Sequence, residues 1–85
     1  MEIRKKAVCG TFSSNDAFVT VEQAKELILS IESPVYYEFG EQIEKVVRET
    51  LQKMEVTQGS IQIEDKGALD CTIIARVETA IRRAQ

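Results

Sequence analysis

Ser33-Pro34-Val35-Tyr36-Tyr37-Glu38-Phe39-Gly40-Glu41-Gln42-Ile43-Glu44-Lys45-Val46-Val47-Arg48-Glu49-Thr50-Leu51-Gln52-Lys53-Met54 is the stretch around which the rest of the chain has to pack. Ser33 followed by Pro34 reads as an N-cap and a first helical residue, where a missing N–H costs nothing. Tyr36, Phe39, Ile43, Val46, Val47, Thr50 and Met54 recur at spacings of three and four, so they form one apolar face at the helical period. Glu38, Glu41, Glu44, Lys45, Arg48, Glu49 and Gln52 fall mostly on the other side. Glu41–Lys45, Glu44–Arg48 and Glu49–Lys53 are acid-before-base pairs at i,i+4, each worth roughly 0.2–0.5 kcal/mol. A helix over 33–54 follows, with its stripe from Tyr36 to Met54 turned inward.

Outward from this helix the chain alternates. On the N-terminal side, Met1 to Lys6 reads as a charged, loose lead-in and Ala7-Val8-Cys9 as a short strand. Gly10-Thr11-Phe12-Ser13-Ser14-Asn15-Asp16 gathers the residues that favour turns. In 17–22, Ala17, Val19 and Val21 alternate with Phe18, Thr20 and Glu22, as a half-buried strand does. Residues 20–32 fit two periods: Val21, Ala24, Leu27, Ile28 and Ile31 suit a helix, with Thr20-x-x-Gln23 resembling a capping box. Strands at 17–22 and 26–32, joined by Gln23-Ala24-Lys25, are the preferred reading. On the C-terminal side, Gly59 marks a stop and Ser60 to Glu64 alternates with Ile61 and Ile63 inward. Asp65-Lys66-Gly67 is a turn. Leu69, Ile73, Val77, Ala80, Ile81 and Ala84 then form a second helical stripe, ending in Arg82 and Arg83, where the helix dipole favours cations. A strand over 71–77 is the alternative there, because Thr72-Ile73-Ile74 is β-branched. The expected fold is α+β: a two-layer sandwich with a mainly antiparallel sheet, two helices on one face, and order β-β-β-α-β-α.

Eighty-five residues make one domain, 1–85, near the lower size limit for a core without staples. A net charge of −3 argues against nucleic acid or an anionic membrane as partner, because both want a basic surface. No apolar run approaches the roughly 18 residues of a membrane-spanning helix, and the N-terminal stretch lacks a signal-peptide core. A cytoplasmic location is expected. Cys9 and Cys71 are the only cysteines and there is no histidine. Two isolated thiols make no structural zinc site, so no metal is expected. They read as buried, reduced small hydrophobes, with a disulfide as the alternative.

The search for catalytic groups finds almost nothing. There is no Ser–His–Asp set, no Gly-rich phosphate loop and no ligand cluster. The lack of histidine removes the commonest general base. Carboxylates fall mostly on predicted helix faces, where solvated surface is the plain explanation. What remains is the hydroxyl pair Ser13 and Ser14 on a turn-rich loop, and on composition alone these are ordinary loop serines.

Three groups of residues change that. Gly10-Thr11 with Ser14 and Asp16, then Phe39-Gly40-Glu41-Gln42-Ile43, then Asp65-Lys66-Gly67-Ala68-Leu69-Asp70-Cys71 continuing into Ala75-Arg76-Val77-Glu78, resemble the acyl carrier protein (gamma) subunit of citrate lyase. The resemblance runs through nearly the whole chain in order and spacing, and its most specific piece is residues 65–71. It implies that Ser14, four residues after Gly10, carries phosphoribosyl-dephospho-coenzyme A through a phosphodiester placed there by a prosthetic-group transferase. The cofactor's thiol would hold an acetyl group. The alpha subunit, an acyl transferase, would exchange acetyl for citrate, and the beta subunit, a citryl lyase, would release oxaloacetate and restore the acetyl carrier. A carrier of this kind does no chemistry with its own side chains, which suits the empty search for a catalytic set. Ordinary fatty-acid carriers place the serine in Asp-Ser-Leu at a helix start, and this chain has no such tripeptide. The competing readings are the carrier subunit of malonate decarboxylase and an unmodified interaction module.

Overall fold

Ala17, Val19 and Val21 are fully buried while Phe18, Thr20 and Glu22 are not, the outcome a pleated strand imposes on this alternation. The computed structural model describes all 85 residues. Its elements are β1 (Ala7–Gly10), β2 (Ala17–Glu22), β3 (Leu27–Glu32), α1 (Tyr36–Lys53), β4 (Gly59–Asp65) and α2 (Asp70–Arg83), the expected β-β-β-α-β-α order. The four strands form one sheet in the order β1-β2-β4-β3. β1 pairs antiparallel with β2, and β2 antiparallel with β4. β3 pairs parallel with β4, and α1 makes the crossover that a parallel pair needs. β2 and β3 are joined by residues 23–26 but do not touch, because β4 inserts between them.

The register lines up one inward row. Val19 faces Ile63 and Val21 faces Ile61, and on the other side of β4 Ile61 faces Leu29 and Ile63 faces Ile31. Both helices lie on this face. Ile43, Val47 and Leu51 of α1 join Ile73, Val77, Ala80 and Ile81 of α2 in a single core with the strand residues. The opposite face, with Val8, Phe18, Thr20, Gln62 and Ile28, stays outside that core. Leu29 and Ile31 are only half-buried because β3 is an edge strand.

Several expectations are corrected. Phe39 is 56% exposed and Tyr36 and Tyr37 are also exposed, so the inward face of α1 begins at Gly40 and Ile43. The first turn of α1 has no neighbour to bury against, whereas Leu51, outside the expected stripe, is buried. Leu69 stands 71% exposed just before α2 for the same reason. Ser33 does not cap α1 itself. Its hydroxyl accepts the N–H of Val35, the N-cap residue, at 3.2 Å, and regular helix starts at Tyr36, so Pro34 lies before the helix and not at its first position. Of the three i,i+4 pairs only Glu44–Arg48 closes, at 3.7 Å. The stop of α1 comes before Gly59. Glu55 takes a left-handed conformation, its N–H reaches Gln52 O, and the Val56 N–H reaches Leu51 O, the double bond of a Schellman ending. Gly59 instead opens β4 at φ 139°, where an added Cβ would come within 2.6 Å of the Ile3 side chain. The lead-in is not loose either: Ile3 is buried, and the Arg4 N–H donates to Ala84 O at 2.9 Å. Cys9 is buried and Cys71 exposed, and both thiols are free. No helix is long and apolar enough to cross a membrane.

Candidate functional site

Gly10 ends β1 at φ 105°, and a Cβ there would lie 1.8 Å from Ala17 O. Glycine is therefore required where the chain leaves the β1–β2 pair. The loop that follows is held by a carboxylate. The Thr11 hydroxyl donates to Asp16 Oδ2 at 2.7 Å and accepts the Ser13 N–H at 3.2 Å. The Ala17 N–H donates to Asp16 Oδ1 at 2.7 Å, and Arg76 of α2 grips both oxygens through Nε and Nη2 at 2.9 and 3.0 Å. Four donors on one carboxylate fix it in its charged form, and such a two-pronged contact is directional as well as strong. The Arg76 contact, then Thr11 and the Ala17 N–H, hold the Asp16 carboxyl well below the usual range, and the slight desolvation working against them is outweighed. Asp16 in turn raises the Arg76 guanidinium, with Cys9 a smaller contributor.

A second bracket comes from residues 65–68. The Asn15 N–H donates to Lys66 O at 2.7 Å and the Lys66 N–H to Asp16 O at 2.8 Å, extending the β2–β4 ladder past its last strand pair. Asn15 takes φ 66°, which asparagine tolerates better than most residues. Buried Asp65 accepts the Ser33 hydroxyl and the Ala68 N–H, each at 2.8 Å, so it ties the end of β4 to the approach to α1 and the turn into α2. Farther along, Gln42 donates to Asp70 at 3.1 Å. The three groups of residues that carried the resemblance thus meet at one end of the molecule.

Ser13 and Ser14 project from this bracketed loop, both exposed. Ser13 has its N–H on Thr11 and its C=O on the Asp16 N–H at 3.2 Å, which leaves Ser14 at the apex. Neither hydroxyl is hydrogen-bonded to a carboxylate, and no group of side chains is arranged to hold a metal. A recess of about 740 Å³ is lined by Met1, Gln23, Lys25 and Glu55 among others, at the far end of β2 from the serines. Sequence reasoning placed Ser14 on an exposed loop between two strands. It missed the Asp16–Arg76 clamp and the Ser33–Asp65 link, whose partners are 60 and 32 residues apart and have no local signal.

Ser14 thus presents an exposed hydroxyl on a loop whose base is held by a four-donor carboxylate. Residues 4–84 match the family model described as malonate decarboxylase delta subunit (MdcD), an acyl carrier family. The chain is 55% identical over 84 residues to the citrate lyase acyl carrier protein of Treponema denticola, covering 99% of this chain and 97% of that one. It is 51% identical over 85 residues to the citrate lyase acyl carrier protein of Cronobacter sakazakii, covering 99% and 88%. A chain in the crystal structure of a Pseudomonas malonate decarboxylase hetero-tetramer with malonate superimposes with a TM-score of 0.86 at 19% identity, over 98% of this chain and 87% of that one, and so shares the fold. The chain belongs to the citrate lyase acyl carrier protein family.

Proposed function

We propose that residues 1–85 form a non-catalytic acyl carrier domain of a citrate lyase, with phosphoribosyl-dephospho-coenzyme A joined to Ser14 through a phosphodiester. The observation that carries this is the apical, unbonded Ser14 hydroxyl on a loop whose base is locked by Asp16 and Arg76. When bound, the arm supplies a thiol that holds an acyl group as a thioester. The chain's own contribution is to fix where the arm starts while leaving it free to swing, which raises the local concentration of its load at two partner sites. Those partners are the alpha acyl transferase and beta citryl lyase subunits. Attachment is a displacement at phosphorus: the Ser14 Oγ–P bond forms and a P–O bond to a leaving phosphate of the donor breaks. The hydroxyl proton goes to a base of the prosthetic-group transferase, because this chain offers none at the loop. A cytoplasmic setting, where thiols stay reduced, suits free Cys9 and Cys71.

Reconstitution tests the reading, with transferase and both partner subunits held constant. The wild-type protein is expected to gain the mass of the arm and, once acetylated, to support cleavage of citrate to acetate and oxaloacetate. Ser14→Ala should gain no mass and support no cleavage, while Ser13→Ala should match the wild type. Peptide mass spectrometry finding the arm on Ser13, or cleavage supported equally by the unloaded protein, would overturn the reading.

A further inference from the structure

Of the nine exposed large apolar side chains, Phe12, Tyr36, Tyr37, Phe39 and Leu69 lie on the segments at the end that bears Ser14, while Met1, Val8, Leu27 and Ile28 lie elsewhere. Tyr37 is fully exposed, Phe39 and Leu69 more than half so. The Gln42–Asp70 bond joins the second turn of α1 to the first residue of α2, so Phe39, one turn before Gln42 on the same side of α1, and Leu69, just before Asp70, flank this bond. The Asn15–Lys66 bond joins the same corner to the Ser14 loop, three residues from Leu69. Single exposed apolar residues need no explanation, whereas a cluster beside a reactive group does. Glu38 and Asp70 adjoin Phe39 and Leu69 in sequence, Glu41 lies farther round α1, one turn beyond Tyr37, and none of the three takes part in an ion pair; Lys45, one turn beyond Glu41, does not close on it. The result is a pair of exposed apolar side chains flanked by carboxylates that outnumber the one exposed cation of this corner, Lys66.

We propose that this patch is the docking surface for the enzyme that joins the arm to Ser14, a partner with an apolar recess rimmed by lysine or arginine. The proposal rests on the attachment reading above. Geometry selects this occupant over the two lyase subunits. Attachment requires Ser14 Oγ itself within bonding distance of phosphorus, so the attaching enzyme must cover the residues flanking the loop. A subunit that handles only the far end of a long flexible arm can dock anywhere within its reach. Charge points the same way. An enzyme that holds an anionic, phosphate-bearing donor lines that site with cations, and Glu38, Glu41 and Asp70 complement the rim of such a site. Apolar anchors surrounded by complementary charge are the usual anatomy of a specific interface.

The experiment measures initial rates of loading by intact mass, at varied carrier concentration, with purified transferase and its nucleotide donor. Phe39→Ser combined with Leu69→Ser should raise the KM for the carrier roughly tenfold or more, the scale of lost anchor residues, and leave kcat within about twofold. Glu38→Lys combined with Glu41→Lys should also raise KM and flatten its dependence on salt. All four positions are exposed, so both double variants should stay folded, with the Phe39/Leu69 pair near the wild-type Tm and the lysine pair a few degrees lower, because Glu38 sits in the first turn of α1. Ile28→Ser, an equally exposed apolar position on the bare sheet face, should load as the wild type does. Unchanged KM in both double variants would overturn the proposal. So would normal loading followed by failure with the lyase subunits, which would give the patch to them, or a wild-type dimer that Phe39→Ser dissociates. If the wild type itself took no arm on Ser14, the attachment reading would fall instead.

Discussion

Asp16 receives Thr11, the Ala17 N–H and both prongs of Arg76, and this sets the behaviour of the serine loop in acid. Its carboxyl titrates lower in the folded chain than in the unfolded one, where it would sit at about 3.9. A depressed carboxyl stabilises the fold fully above its unfolded value, and the contribution fades as pH falls below that value toward the folded one. Asp16→Asn keeps the shape of the side chain and removes this charge. The gap in Tm between wild type and Asp16→Asn should therefore be constant above about pH 5 and narrow steadily from about pH 4 to pH 2. The pair is partly exposed, at 36% for the Arg76 side chain and 14% for Asp16, so added salt should shrink the gap at neutral pH. A gap that did not move with pH would mean that Asp16 acts only through its neutral hydrogen-bonding shape.

Among the elements, α1 separates what a sequence pattern can say from what it cannot. The three-and-four spacing located the inward side at Ile43, Val46, Val47, Thr50 and Met54, and all are buried. It had no means of saying where along the helix the cover stops, because that depends on which neighbours reach it. Phe39 and Leu69 were misplaced for this reason. The strands were legible where both sides of the pleat had different environments, as in 17–22 and 60–64. Edge strand β3 was ambiguous because its apolar residues point to both faces and half of them remain wet, with Ile28 exposed and Leu29 only partly covered. The reading of Ser14 as the attachment point comes only through resemblance, since a hydroxyl with no bonded partner leaves no pattern of its own. Truncation should draw the same line in α1. Leu51→Ala is expected to cost about 2–5 kcal/mol and Phe39→Ala well under 1 kcal/mol, as measured by urea unfolding. Similar costs for the two would place Phe39 inside the fold.

Taken whole, the molecule has one core of 17 buried residues that draws on β1, β2, β4, both helices and the segments beside them, with half-buried Leu29 and Ile31 of β3 packed against it. Cys9 belongs to that core and Cys71 does not. An alkylating reagent should label Cys71 at once in native conditions. Cys9 should react only as fast as the whole molecule opens, so its labelling should slow and quicken in step with global stability across a urea series. Early labelling of Cys9 at low urea would show that β1, and the base of the serine loop with it, opens on its own.

The clamp on that loop also has a consequence in time. Asp16 and Arg76 are 60 residues apart, and the Asn15–Lys66 bond draws on β4, so the loop leaves the ribosome long before the groups that shape it. At roughly 5–20 residues per second the delay is about 3–12 s. Throughout that interval the nascent chain displays Ser14 on a loop without its Arg76 clamp, and for most of it without the end of β4 as well. The Ser14 loop acquires its setting only when α2 docks, so a shaped loop is a sign that the chain has been made through Arg76 and has folded back onto residues made 60 positions earlier.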